Sequence, residues 1–196
     1  GAGIKSVTSV VQEACKEKIE RDRKRGILNR PIRAMIVGIP NVGKSTFINS
    51  FSGKACTKVG NKPGVTKGKQ WIKINKNVEL LDTPGILWPR FDDEKVGLDL
   101  AMIGSINDNI INTTELAMEL IKALEIKYCN IISERYNIEI ADDDGIYAVK
   151  VLEGIASVRQ CKLKGNELDL DKAALILLDD YRNGKLGRIT LESPED

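Results

Sequence analysis

Apolar residues recur at steps of three and four through Ile4, Val7, Val11, Ala14 and Cys15 and then give way to the charged run Lys16 to Arg25. That spacing predicts an amphipathic helix stopping at Gly26. Pro31 forces an extended chain, and Ala34-Met35-Ile36-Val37 is apolar on both faces and followed by glycine, the pattern of a strand buried in a parallel sheet. A helix is predicted after Gly43. Gln70 to Ile74 alternates, Asn75-Lys76-Asn77 reads as a turn, and Val78 to Leu81 resumes, which predicts an antiparallel hairpin. Beyond Pro89 the strand signal fades and helical stripes appear over Val96 to Ile106, Thr114 to Ile126, Ile146 to Val158 and Leu170 to Tyr181. Leu168, Leu170, Ala174, Leu175, Leu178 and Tyr181 form the core stripe of the last helix. The chain therefore divides into an α/β part, residues 1–91, and a helical part, residues 92–196, joined at the acidic stretch Phe91 to Glu94. It contains no internal repeat.

Charge sharpens that division. The net charge of +2 over 196 residues conceals two halves. Residues 1–91 carry 18 lysines and arginines against 6 acids, and residues 92–196 carry 12 against 22. A basic half suits a polyphosphate ligand, a nucleic acid, or both, or else a solvated lysine-rich surface. The longest aliphatic stretch, Ala173 to Leu178, is too short to cross a bilayer, and no secretory signal precedes Val7. The first residue is Gly1 rather than Met, as in a processed chain or an excised piece. Four cysteines and no histidine leave no zinc set and no imidazole base. Free thiols in a reducing cytosol are the reading.

The candidate chemistry lies in the basic half. Gly38-Ile39-Pro40-Asn41-Val42-Gly43-Lys44-Ser45 matches G-x-x-x-x-G-K-[ST] between a predicted strand and a predicted helix. Such a loop turns successive N–H groups around phosphate oxygens, with the positive end of the helix behind them. Pro40, Asn41, Val42, Gly43, Lys44, Ser45 and Thr46 are the nucleotide-binding candidates, Lys44 for the β and γ phosphates and Ser45 for Mg2+. Asp82-Thr83-Pro84-Gly85 ends the hairpin at the sheet edge where ligands bind in α/β folds. Asp82 is a candidate for the Mg2+ shell, and Gly85 offers an N–H to the γ-phosphate. Between the two motifs, the basic segment Lys58 to Gln70 carries Pro63-Gly64-Val65-Thr66, where Thr66 is placed to close over Mg2+ and the γ-phosphate. Lys44, Thr66 and Gly85 are the candidate catalytic residues, in two loops held by a γ-phosphate and released on its loss.

G-x-P-N-V-G-K-S-T, P-G-V-T and D-T-P-G in that order resemble the Era/Obg-type GTPases. Their guanine-reading N-K-x-D is absent from residues 86–196, and Asn61-Lys62-Pro63-Gly64 lacks its carboxylate. Gly1-Ala2-Gly3-Ile4 with its helix resembles the end of the last GTPase motif, set before the phosphate loop instead of after the sheet. That order, with Leu81 to Arg90 and Asn183-Gly184-Lys185-Leu186-Gly187-Arg188, resembles the circularly permuted YlqF/RbgA family of ribosome biogenesis GTPases along essentially the whole chain. The resemblance implies an α/β P-loop GTPase sheet, permuted and lacking its first roughly half-domain, followed by a small all-helical, RNA-binding domain. It implies a GTPase using GTP/GDP and Mg2+, cytoplasmic, monomeric off the ribosome, with the large-subunit precursor and rRNA as partners and no membrane. It also implies that Asn41 helps bind K+ beside the phosphates, although a loop-capping amide is the alternative. Ile86 stands where Ras-like enzymes carry a water-orienting Gln, and the family's helper histidine is missing, so slow intrinsic turnover is expected.

In the helical half, Asp142-Asp143-Asp144-Gly145 fails the EF-hand pattern because Ile140 and Val151 occupy ligand positions, and reads instead as helix N-terminal charge. Arg159, Lys162 and Lys164 form one basic cluster and Arg182, Lys185 and Arg188 another. They are candidates for rRNA phosphates, with a solvated face as the equal alternative. Trp88 and Phe91 are either docking aromatics or buried at the joint. Two rival functions stand beside the leading one: an Era-like GTPase of another translation-related role, and an rRNA-binding fragment with an incomplete nucleotide pocket.

Overall fold

A computed structural model describes residues 2–57, 68, 70–88, 90–140 and 146–193. The chain forms two compact units, residues 1–89 and 90–196.

In the first unit the predicted opening helix is a pair: a 3-10 turn over Ile4–Ser6 leads into α1 (Val7–Ala14), and α2 (Lys16–Lys24) follows. Cys15 interrupts them at φ −104° and ψ 11°, its N–H shared between the Val11 and Gln12 carbonyls. The break falls where the apolar stripe ends and the charged run, with little to bury, begins. Gly26 closes α2 at φ 79° as its N–H returns to the Arg23 carbonyl. Next come β1 (Ile32–Ile36), α3 (Lys44–Ser52), β2 (Gln70–Lys73) and β3 (Val78–Asp82). The sheet order is β1-β3-β2, with β1 parallel and β2 antiparallel to β3. Asn75 makes the hairpin turn, its Oδ1 accepting the N–H groups of Asn77 and Val78.

Among the described residues one sheet face carries the apolar packing. Ile72, Val78 and Leu80 pack with Ile48, Phe47 and Phe51 of α3 and Val11 of α1. On the other face Met35 is 58% exposed and Trp71 51%, and Val37, just past β1, is 68% exposed. This corrects the expectation that Ala34 to Val37 is buried on both faces. Among the described residues β1 pairs with β3 alone, so it is an edge strand with a bare outer face.

In the second unit every regular element among the described residues is helical: α4 (Glu94–Met102), a 3-10 turn (Asp108–Ile110), α5 (Thr113–Lys127), α6 (Ile131–Tyr136), α7 (Tyr147–Val158) and α8 (Leu170–Arg182). Side chains of Asp93, Asn112 and Asp169 cap α4, α5 and α8. Leu120, Ile121, Leu124, Leu152, Ile155, Leu177 and Leu178 fill the core. Leu175, assigned to the core stripe from sequence, is 52% exposed. One residue past Ala174, it is turned about 100° around the helix, and Ala173 and Leu177 are buried instead. Residues 142–145 lie outside the described residues.

Candidate nucleotide site

Half-buried Ile36 and buried Asp82 are register partners at the ends of the parallel strands, which brings the loop after β1 beside the D-T-P-G segment after β3. Thr83 ties the two together, its hydroxyl donating to the Ile36 carbonyl at 2.7 Å. The loop turns through Asn41 at φ 60° and Gly43 at φ 90°, the left-handed region where glycine carries no side-chain penalty. α3 then begins at Lys44, so the N–H groups of its first turn face the loop rather than a preceding turn of helix.

The Lys44 Nζ donates to the carbonyls of Gly38 at 3.0 Å and Ile39 at 2.6 Å. Burial holds its amine below the ordinary lysine value, with Asp82 opposing. Asp82 is 1% exposed. Burial pushes its carboxyl up, opposed by the Lys44 charge and the Thr83 N–H. Its Oδ1 is buried without a hydrogen-bond partner. Such an oxygen is costly unless a cation or donor reaches it, and a hard cation takes oxygen ligands. Gly85 fits where no side chain could: an added Cβ would lie 2.5 Å from the Pro40 nitrogen and 2.6 Å from its Cα.

The structure thus gathers Pro40 to Ser45, Asp82 and Gly85 at one end of the sheet, with Val42 and Thr46 exposed. Thr66, with the rest of Lys58 to Lys67, lies outside the described residues. Asn49, to which the sequence reading gave no role, clamps the chain entering that segment. Its Oδ1 accepts the N–H groups of Cys56 and Thr57, both at 2.9 Å, and its Nδ2 donates to the Thr57 carbonyl. The Thr57 hydroxyl reaches the Ser45 carbonyl at 3.2 Å. The available signal was an asparagine, a poor helix former, amid the apolar positions of α3. Ile86 and Trp88 are 77% and 72% exposed.

The family model of the 50S ribosome-binding GTPase matches residues 33–141, more than half of the chain. The chain belongs to that family. The match begins in β1 and runs past the unit boundary into the helical part. Among its relatives, ribosome biogenesis GTPase A of Bacillus cereus is 44% identical over all 196 residues, and that of Priestia megaterium is 43% identical. The chain spans 65% and 67% of their lengths, about two thirds of the curated relatives it matches. Solved structures of YlqF are similar at 26% identity, GDP-bound with a TM-score of 0.56 and GNP-bound from Thermotoga maritima with 0.55. Each comparison covers 94% of this chain, and 79% and 77% of those chains respectively.

The basic candidates of this family member's helical unit fall into different environments. Arg182 is corrected from an RNA contact to an internal clamp. Its guanidinium donates to the carbonyls of Met102 and Ala101 and pairs with both carboxylate oxygens of Asp108 at 2.8 Å, which leaves only 22% of the side chain exposed. Lys162 donates to the Asn166 amide oxygen. Lys164 and Arg188 are exposed. Arg159 and Lys185, from different sequence clusters, meet at Asp180. No helix among the described residues is long and apolar enough to cross a membrane.

Proposed function

We propose that this chain is the phosphate-binding and helical portion of a GTP-hydrolysing switch protein that assembles the large ribosomal subunit. The observation that carries this reading is the buried, unpartnered Asp82 oxygen beside Lys44, at the mouth of a glycine-turned loop. Membership in the 50S ribosome-binding GTPases supports it, as do relatives named ribosome biogenesis GTPase A and similar YlqF structures bound to GDP and GNP.

In this reading the loop amides from Asn41 to Thr46 wrap the β-phosphate, and phosphate oxygens replace the Gly38 and Ile39 carbonyls as acceptors for Lys44. Ser45, Thr66 and Asp82 hold Mg2+, which supplies charge neutralisation on the phosphates, and Asn41 is the candidate ligand for K+. Gly85, pressed against Pro40, offers its N–H to the γ-phosphate, so loss of that phosphate releases the D-T-P-G segment. Ile86 orients no water, hence hydrolysis by this chain is slow. The motif order is that of a permuted domain. N-K-x-D is absent from residues 86–196. The site is cytoplasmic, and the partners are the large-subunit precursor and its rRNA.

Titration with fluorescent GDP and GTP analogues tests the reading: Lys44→Ala weakens both at least about 100-fold, as loss of charge-assisted phosphate bonds requires. Retained affinity would remove the switch altogether. A second reading, phosphate binding without guanine selection, is favoured for the chain alone by the missing motif. It predicts GDP and ADP affinities within about threefold of each other, against a large guanine preference for an intact pocket. The Asn41 assignment predicts faster turnover in KCl than in NaCl, and equal rates would discard it.

A further inference from the structure

Between α4, the 3-10 turn and α5 runs an open groove of about 730 Å³. Phe91, Leu98, Ile106, Ile110 and Leu116 give it an apolar lining, and Ile110 is 77% and Leu98 38% exposed. Gly97 lines it too, in the interior of α4. Glycine weakens a helix interior, and no crowding demands it here: an added Cβ would meet only the Phe91 ring, at an ordinary 3.8 Å. Its effect is to leave the groove unfilled. Every charge in the lining is negative, from Glu94, Glu115 and Glu119. Lys122 pairs with Glu119 at 2.7 Å, whereas Glu94 and Glu115 form no ion pair among the described residues. This rim belongs to a half of the chain whose acids outnumber its bases 22 to 12.

We propose that this groove is the docking site for a basic amphipathic helix of a partner protein. The helix lays its apolar face into the groove, and its flanking lysines or arginines meet Glu94, Glu115 and Glu119. Charge decides among the occupants. An acidic rim repels a nucleic-acid backbone, and two copies meeting groove to groove would set like carboxylates against each other with no lining cation to offset them. Burial of the exposed Ile110 and Leu98 supplies affinity, while the rim steers encounter and fixes the direction of the incoming helix. Lining and rim fall within residues 91–119, so this occupant stands whether or not the phosphate loop holds GTP.

Fluorescence anisotropy tests it with two labelled helical peptides of about four turns, each with leucine on one face and either lysine or glutamate on the other. The lysine peptide binds at least about tenfold more tightly than the glutamate peptide, and added KCl weakens it. Ile110→Ser, at an exposed position that costs no core packing, weakens the lysine peptide about tenfold. Gly97→Leu, which fills the groove, does the same, and Glu94→Gln with Glu115→Gln lowers both the affinity and its dependence on KCl. Glu153→Gln on α7 and Leu175→Ser on α8, both exposed, change nothing. Equal affinity for the two peptides, full affinity in the groove variants, or loss confined to Val37→Lys past β1 would each overturn the proposal. So would a dimer in sedimentation that Ile110→Ser dissolves, which gives the groove to a second copy, or binding of an RNA duplex that Ile110→Ser abolishes. GDP-analogue affinity stays at the wild-type level in every groove variant, which separates failure here from failure of the nucleotide switch.

Discussion

The Asp82 carboxylate shows how a binding residue can oppose the fold that carries it. Burial raises its pKa, so the folded chain holds this proton more tightly than the unfolded chain does. Stability contributed here therefore declines as pH rises from the ordinary carboxylate value through the raised one. At neutral pH the charge is a cost that a bound cation relieves. Asp82→Asn accordingly raises the unfolding free energy of the nucleotide-free protein by about 1 kcal/mol and flattens that part of its pH profile, while Mg2+-dependent GTP affinity is lost. Thermal denaturation with and without Mg2+-nucleotide checks both signs. Its place at the sheet edge was legible from D-T-P-G after an apolar strand. Thr83 was not, because a hydroxyl reaching the Ile36 carbonyl on another strand leaves no local pattern.

Elements followed the sequence where periodicity was strong and burial one-sided. α5, α7 and α8 carry continuous apolar stripes and form as read. The opening helix broke at Cys15, where the stripe hands over to charge. Leu175 was misplaced because a run of aliphatic residues hides which ones share a face. Arg182 marks the wider limit: a basic residue at a helix end looks the same in sequence whether it meets solvent or stitches α8 to the chain after α4. Arg182→Ala leaves the Ala101 and Met102 carbonyls and Asp108 without their donor, at about 2–3 kcal/mol of stability. Urea unfolding gives that value directly, and a change under 0.5 kcal/mol, the range of ordinary surface substitutions, would return Arg182 to the surface.

At the scale of the molecule, charge and motif order divide the chain after residue 91, and the compact units of the structure are residues 1–89 and 90–196. The two basic clusters read along the chain did not survive as groups. Folding dismantles them, since Arg182 turns inward and Arg159 and Lys185 join Arg135 and Lys172 across three helices. Sequence proximity recorded which cations exist, and only the packing of α6, α7 and α8 decided which ones stand together.

The uncovered side of the small sheet has a practical outcome for anyone handling the purified polypeptide. Met35 in β1 and Val37 just past it stand exposed along an open strand rim, while Trp71 on the same face of β2 carries the Arg33 guanidinium 4.9 Å from its ring; the rim is a template for sticking to other copies. Concentrated samples should light up the dye ANS and scatter light increasingly with time, whereas Val37→Lys, a charged gatekeeper on the rim, should dim the dye and keep the solution clear.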